Sequence, residues 1–297
     1  GNFAFALAEG QVAGIRRVWA DGRELDRTQV EMRFYPGAAG QAIDPLISAR
    51  QGAGNAPAYR DTAYVVFERF PLGDYGNRIP QFQFEVLRPV GRLTQKLRGV
   101  ALIPGSTEFG YAPAAVTREI REGEVDQLNR HVLSAGSDFA ASLDELEALC
   151  PGLKHVALVV TWFGNDLRAG NCQIRPAVID NGTDGFSQSW RVSGLTRGVA
   201  PVVSYHEGGA AYGGSPSDRS VMDAIANIKA RGLKVTLYPL VMMDVPHANV
   251  LPDPYGGTGQ APYPWRGRIT CNPAPLAQNY VINSHALNTF ATSNAPV

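Results

Sequence analysis

Two uninterrupted apolar runs, HVALVVTWF at residues 155–163 and KVTLYPLVMM at 234–243, constrain this chain more than any other feature. Neither alternates strictly, so each reads as a strand buried on both faces. Between them, Ser215-Pro216-Ser217-Asp218 forms a helix start, and Val221, Ile225 and Ile228 then fall on one stripe. Gly232 sits where a C-cap glycine belongs. Strand, helix, strand is a βαβ unit, for which right-handed parallel pairing is the default. A (β/α) barrel or an open α/β sheet is the natural class. A complete eightfold barrel takes about 250 residues, so the stretch after His131 can supply only part of one. Another helix, FAASLDELEAL, precedes the first run. Ser137 or Asp138 can cap it, Leu143, Leu146 and Leu149 line one stripe, and Pro151-Gly152 ends it.

The first third of the chain has a different period. QFQFEV alternates, with Phe82, Phe84 and Val86 on one face and Gln81, Gln83 and Glu85 on the other. TAYVVF is a compact apolar strand, and Asp21-Gly22 between two short extended runs is a hairpin signal. A β-sandwich or barrel is expected there. The predicted class is therefore α+β and multidomain: a β-rich domain over 1–95, a crossing segment over 96–131, and a partial (β/α) TIM-barrel-like domain over 132–297.

Composition narrows the function. Twenty-seven basic residues balance 27 acidic ones, so no nucleic-acid or anionic-membrane surface is expected. No apolar run is long enough to span a membrane. GNFAFALAEG lacks the basic n-region of a signal peptide and starts as if inside a strand, so a fragment or processed chain is expected. Cys150, Cys172 and Cys271 are odd in number and far apart, which predicts ordinary reduced thiols of a cytoplasmically folded chain and argues against a zinc site or a disulfide framework. Phosphate-binding and dinucleotide fingerprints are missing as well, so neither metal nor cofactor is expected.

Ligands of α/β folds meet the carboxyl ends of the parallel strands. Those ends carry Trp162, Asn165, Asp166 and Arg168 after the first run and Asp244 and His247 after the second, with Tyr255 and Trp265 beyond. Asp166 and Asp244 are the candidate catalytic carboxylates of a glycosidase, and Trp162, Tyr255 and Trp265 the candidate stacking platforms for sugar. Against that stands the ordinary role of Asp at a strand end, which is to cap a turn or pair with an arginine such as Arg168. The five histidines, at 131, 155, 206, 247 and 285, show no ligand spacing.

Between TAYVVF and QFQFEV lies a long loop through Gly73, Asp74, Tyr75, Gly76, Asn77, Arg78 and Pro80, with one acid, one base and no nucleophile. It belongs to a series of blocks: ALAEGQVAGIRRVWADGREL, APAYRDTAYVVFERFPLGDYGNRIPQFQFEV and ALIPG. These resemble the amino-terminal part of the baseplate hub, or tail-tip, protein of gene transfer agents and related long-tailed bacteriophages. LVVTWFGNDLRAGNCQIRP, VSGLTR, AYGGSPSD, IKARGLKVTLYPLVMMD, LPDPYGG and PWRGRITC are similar to the glycoside-hydrolase TIM-barrel-like domain that follows in that family. The resemblance runs from about Phe3 to Asn272. It implies a structural virion protein at the tail tip, assembled in the host cytoplasm as a homotrimer about the tail axis. Implied partners are the distal tail protein, the tail tube, tip or fibre proteins, and a bacterial surface glycan. The segment from about Pro275 falls outside the matched blocks, and the family's barrel runs on past RGRITC, so a complete catalytic pair is not expected here.

Overall fold

The computed structural model describes residues 1–52, 54–103, 107–264 and 267–275. They form two compact units, one of residues 1–100, 113–115 and 130–154, the other of 101–112, 116–129 and the described residues from 155 onward. Both strands and helices are present, an α+β composition, and no closed barrel occurs among the described residues.

The first unit holds β1 (Phe3–Glu9), β2 (Gly14–Ala20), β3 (Arg23–Glu24), β4 (Glu31–Tyr35), α1 (Pro45–Gln51), β5 (Thr62–Glu68), β6 (Phe82–Leu87), α2 (Leu93–Lys96) and α3 (Asp138–Leu149). Its strands make two antiparallel three-stranded sheets, ordered β1-β5-β4 and β3-β2-β6. Alternation explains how they share one core: Phe3 and Phe5, Val65 and Phe67, and Phe82 and Phe84 all point into one aromatic cluster with Phe70. Asp21 and Gly22, at φ of 49° and 78°, form the two-residue hairpin turn between β2 and β3. Val86 departs from the expected alternation and is 37% exposed. The partner strand carries a bulge there: Ile15 faces Val86 but Val18 faces Phe84, so Arg16 and Arg17 together oppose Glu85. Both arginines reach that carboxylate, at 3.8 and 2.6 Å.

Helix α3, grouped by sequence reading with the strands after it, belongs to this first unit and packs on β2. Ser137 caps it by accepting from the Ala140 amide at 3.2 Å, and Phe139 and Leu143 are its fully buried residues. Asp44, completely buried, caps α1 through the Leu46 and Ile47 amides, at 2.8 and 3.1 Å. The same carboxylate accepts from Arg33 Nε at 2.8 Å and from the Tyr35 hydroxyl at 2.7 Å. Burial alone would raise its pKa, but these hydrogen bonds outweigh burial and hold it below the ordinary value. Burial and the same carboxylate push the Tyr35 phenol up to about 12.

The second unit contains β7 (Gly99–Leu102, shared at its start with the first), β8 (Thr117–Arg121), β9 (Glu124–Gln127), β10 (His155–Gly164), β11 (Ile174–Arg175), β12 (Arg191–Val192), β13 (Leu195–Thr196), β14 (Tyr205–His206), β15 (Gly209–Ala210), α4 (Asp218–Ala230) and β16 (Lys234–Met243). Most of the expected crossing segment is therefore built into this unit. Phe109 and Tyr111 are core residues, and the Tyr111 hydroxyl donates to the Val159 carbonyl. The predicted βαβ unit is present: β10 and β16 pair in parallel from His155↔Lys234 to Gly164↔Met243, with α4 in the connection. Trp162 packs into one apolar cluster and Phe163 into another, as a strand covered on both faces requires.

Two expectations shift. Among the described residues strand β16 lies at the end of the order β11-β10-β16, an edge position, and Leu237, Tyr238 and Val241 are exposed. The buried stripe of α4 is Ser220, Ala224 and Ile228, with Val221 and Ile225 half-buried at its flank. Small residues at two of those positions let the helix approach closely. Among the described residues, one parallel strand pair with its connecting helix is what answers to the expected partial barrel.

Candidate binding cleft at the strand ends

The carboxyl ends of β10 and β16 open into a cleft of about 340 Å³. Phe163, Gly164 and Asn165 from β10, Asp244, Pro246 and His247 from β16, Gln173 and Arg175 at β11, and Ser204 and Tyr205 at β14 line it. Gly164 makes the strand end possible. A Cβ there would lie 2.9 Å from Cys172 Sγ and 3.0 Å from Met243 Sδ, atoms that close the apolar floor with Leu167 and Val245.

The two candidate carboxylates fall in different surroundings. Asp166 is 5% exposed and does not line the cleft. Its oxygens accept from Arg168 Nε at 3.0 Å, Arg168 Nη2 at 2.6 Å, the Arg168 amide at 2.9 Å and Gln260 Nε2 at 2.7 Å. Burial works to raise its pKa, yet the Arg168 and Gln260 bonds hold it below the usual carboxylate value. Such a group is a fixed anion, saturated with donors. Asp244 does line the cleft, and its carboxylate accepts from the Ser204 amide at 2.9 Å and from the Ser204 hydroxyl. It therefore anchors the strand before the β14–β15 hairpin.

Of the proposed platforms, neither Trp162 nor Tyr255 lines the cleft. Trp162 packs against the Phe109–Trp190 cluster, Tyr255 is 58% exposed on a loop outside the cleft, and Trp265 lies outside the described residues. Tyr205, 55% exposed, is the aromatic side chain at the cleft's rim.

Sequence reading passes over three residues that build this region. Gln260, 1% exposed, accepts from the Leu167 amide at 2.8 Å while donating to Asp166 and to the Pro252 carbonyl. Tyr212, in a GGAAYGG run that reads as a flexible loop, is buried and donates to the Met243 carbonyl at 2.7 Å. His206 meets His247, 41 positions away, at 3.1 Å. Glycine content hides the tyrosine, and no local spacing announces a contact made by folding. Among the described residues no group of three or more His, Cys, Asp or Glu side chains could hold a metal ion, and no helix is long and apolar enough to cross a membrane.

Neither a protein-family model nor a curated protein matches the chain. Among solved structures it is similar to a chain described as the virion of a native gene transfer agent (GTA) particle, with 46% identity and a TM-score of 0.31. The match covers 35% of this chain and 26% of that one, about a quarter of its length.

Proposed function

We propose that the chain is a structural component of a tailed virion of the gene-transfer-agent type, and within it the baseplate hub at the tail tip. In this reading the first unit is the assembly part. It trimerises about the tail axis, meets the distal tail and tube proteins, and positions tip or fibre proteins against the host envelope. The observation that carries the reading is the loop joining β5 to β6, within the longest of the hub-like sequence blocks. It is exposed yet fixed: Arg78 pairs with Asp21 at 2.7 Å, Tyr75 packs on Phe70, and Ile79 stands 50% exposed beside them. A rigid surface that offers an apolar side chain and no reactive group suits docking better than chemistry. The test is antibody-gold electron microscopy of purified particles. Label at the distal tail end is the expected result; unlabelled tails, with the protein free and monomeric, would overturn it.

A second reading concerns the cleft alone. Asn165, Arg175, Tyr205 and Asp244 give it the amide, cationic, aromatic and carboxylate groups that bind saccharide hydroxyls. Binding rather than hydrolysis is favoured, because Asp166 and Asp244 are both engaged in structural hydrogen bonds. Titration with cell-wall and capsular oligosaccharides should show an affinity that Tyr205→Ala weakens at least tenfold. An affinity indifferent to that change would exclude this cleft.

A further inference from the structure

The hairpin β14–β15 is fastened at its base and loose at its tip. On one side of the base, Ser204 donates to Asp244 through its amide and hydroxyl; on the other, Tyr212 donates to Met243. The tip turns through Glu207 and Gly208, at φ of 50° and 82°, with His206↔Gly209 as its last paired residues. Across the cleft's rim Tyr205 donates to the Ile179 carbonyl at 3.3 Å, and nearer the tip His206 Nδ1 meets His247 Nε2 at 3.1 Å. The two rings differ in plane by 8°, and their centres are 5.3 Å apart. That separation exceeds the N···N distance by close to two ring radii, so the rings lie end to end in one plane rather than face to face. Each nitrogen points straight at the other, the geometry of an N–H···N hydrogen bond and not of two lone pairs converging on a metal.

We propose that this pair is a proton-operated clasp on the cleft. The proton count makes it so. With both rings neutral, one facing nitrogen carries hydrogen and the other accepts. One added proton leaves the bond in place, since a single imidazolium can still donate to a neutral partner. A second proton puts N–H on both facing nitrogens, removes the acceptor and sets two positive charges head to head. The clasp then opens, while Ser204 and Tyr212 keep the hairpin's base in place.

The neighbouring charges favour this stepwise release. The Glu207 carboxylate stands 3.6 Å from His206 Nε2 and is 86% exposed, where water screens it. Asp244 has its oxygens taken by Ser204, and the Arg175 guanidinium in the same cleft donates to Gln173. From the remaining side the uncharged Tyr263 ring stands edge-on to His206. The second proton has to be driven on against the first charge, so acidification is the trigger.

The experiment is a pH titration of the whole chain labelled with ¹⁵N-glycine, following the Gly208 and Gly209 amides at the tip and Gly164 at the floor. In the unaltered protein the tip signals should move between pH 8 and 5 while Gly164 stays put. His247→Ala should show the acid-form tip shifts already at pH 8. His247→Gln, whose amide can bond His206 whether or not that ring is charged, should keep the clasp shut in acid and leave only the smaller local shift of the His206 ring itself. Tip signals that do not move with pH, or that move identically in all three proteins, would overturn the clasp.

Discussion

At the scale of single residues, the charged side chains divide by burial, and burial decides their weight. Arg78 and Asp21 are both solvent-exposed, where water screens an ion pair, so this pair aims a loop more than it stabilises the unit. Arg33 and Asp44 differ because the carboxylate is sealed from water. Arg33→Ala would leave Asp44 buried without its cation, and a loss of about 3–5 kcal/mol is expected in urea unfolding. The sign of the pH dependence follows from Asp44 being held low. Its contribution is fully present above the unfolded carboxylate value of about 3.9 and disappears as pH falls through the lower folded value. Stability should therefore drop below about pH 4, with a smaller acid loss when the same titration is run on Asp44→Asn.

Elements show how much of this molecule is legible in its sequence. Both long helices start where their caps predict, because the signal is local: Ser217 accepts from the Ser220 amide at 3.2 Å just as Ser137 does from Ala140. Ser217→Ala is expected to cost about 1 kcal/mol in urea unfolding; an unchanged stability would show that the cap bond is not what matters. The parallel pair β10 and β16 is also legible, since continuous apolar runs around a helix leave few alternatives. What escapes local reading is pairing across distance. Arg16 and Arg17 form a bulge opposite Glu85, β16 is an edge among the described residues, and α3 packs on β2. The cleft is legible as a location, from the rule that ligands meet strand ends, but its lining is not. Gln173, Arg175, Ser204 and Tyr205 arrive there through the long connection between β10 and α4, which carries no periodic signal.

For the whole molecule, the balance of charge means that shape and exposed backbone, not net electrostatics, govern how copies meet. Strand β16 matters most here. Among the described residues no strand pairs with its outer edge, and Leu237 and Tyr238 are about half exposed there. A ten-residue unpaired edge is a template on which another chain can add. Pro239 interrupts it at mid-length, opposite Val160, and contributes no amide hydrogen to any ladder. Its consequence is colloidal: the proline acts as a stop against copies of this chain stacking along that edge. Pro239→Val should keep the helix and strand content of the parent while raising the scattered light intensity severalfold at equal concentration. Scattering that stays at the parent's level would mean that something other than this residue keeps the edge from growing.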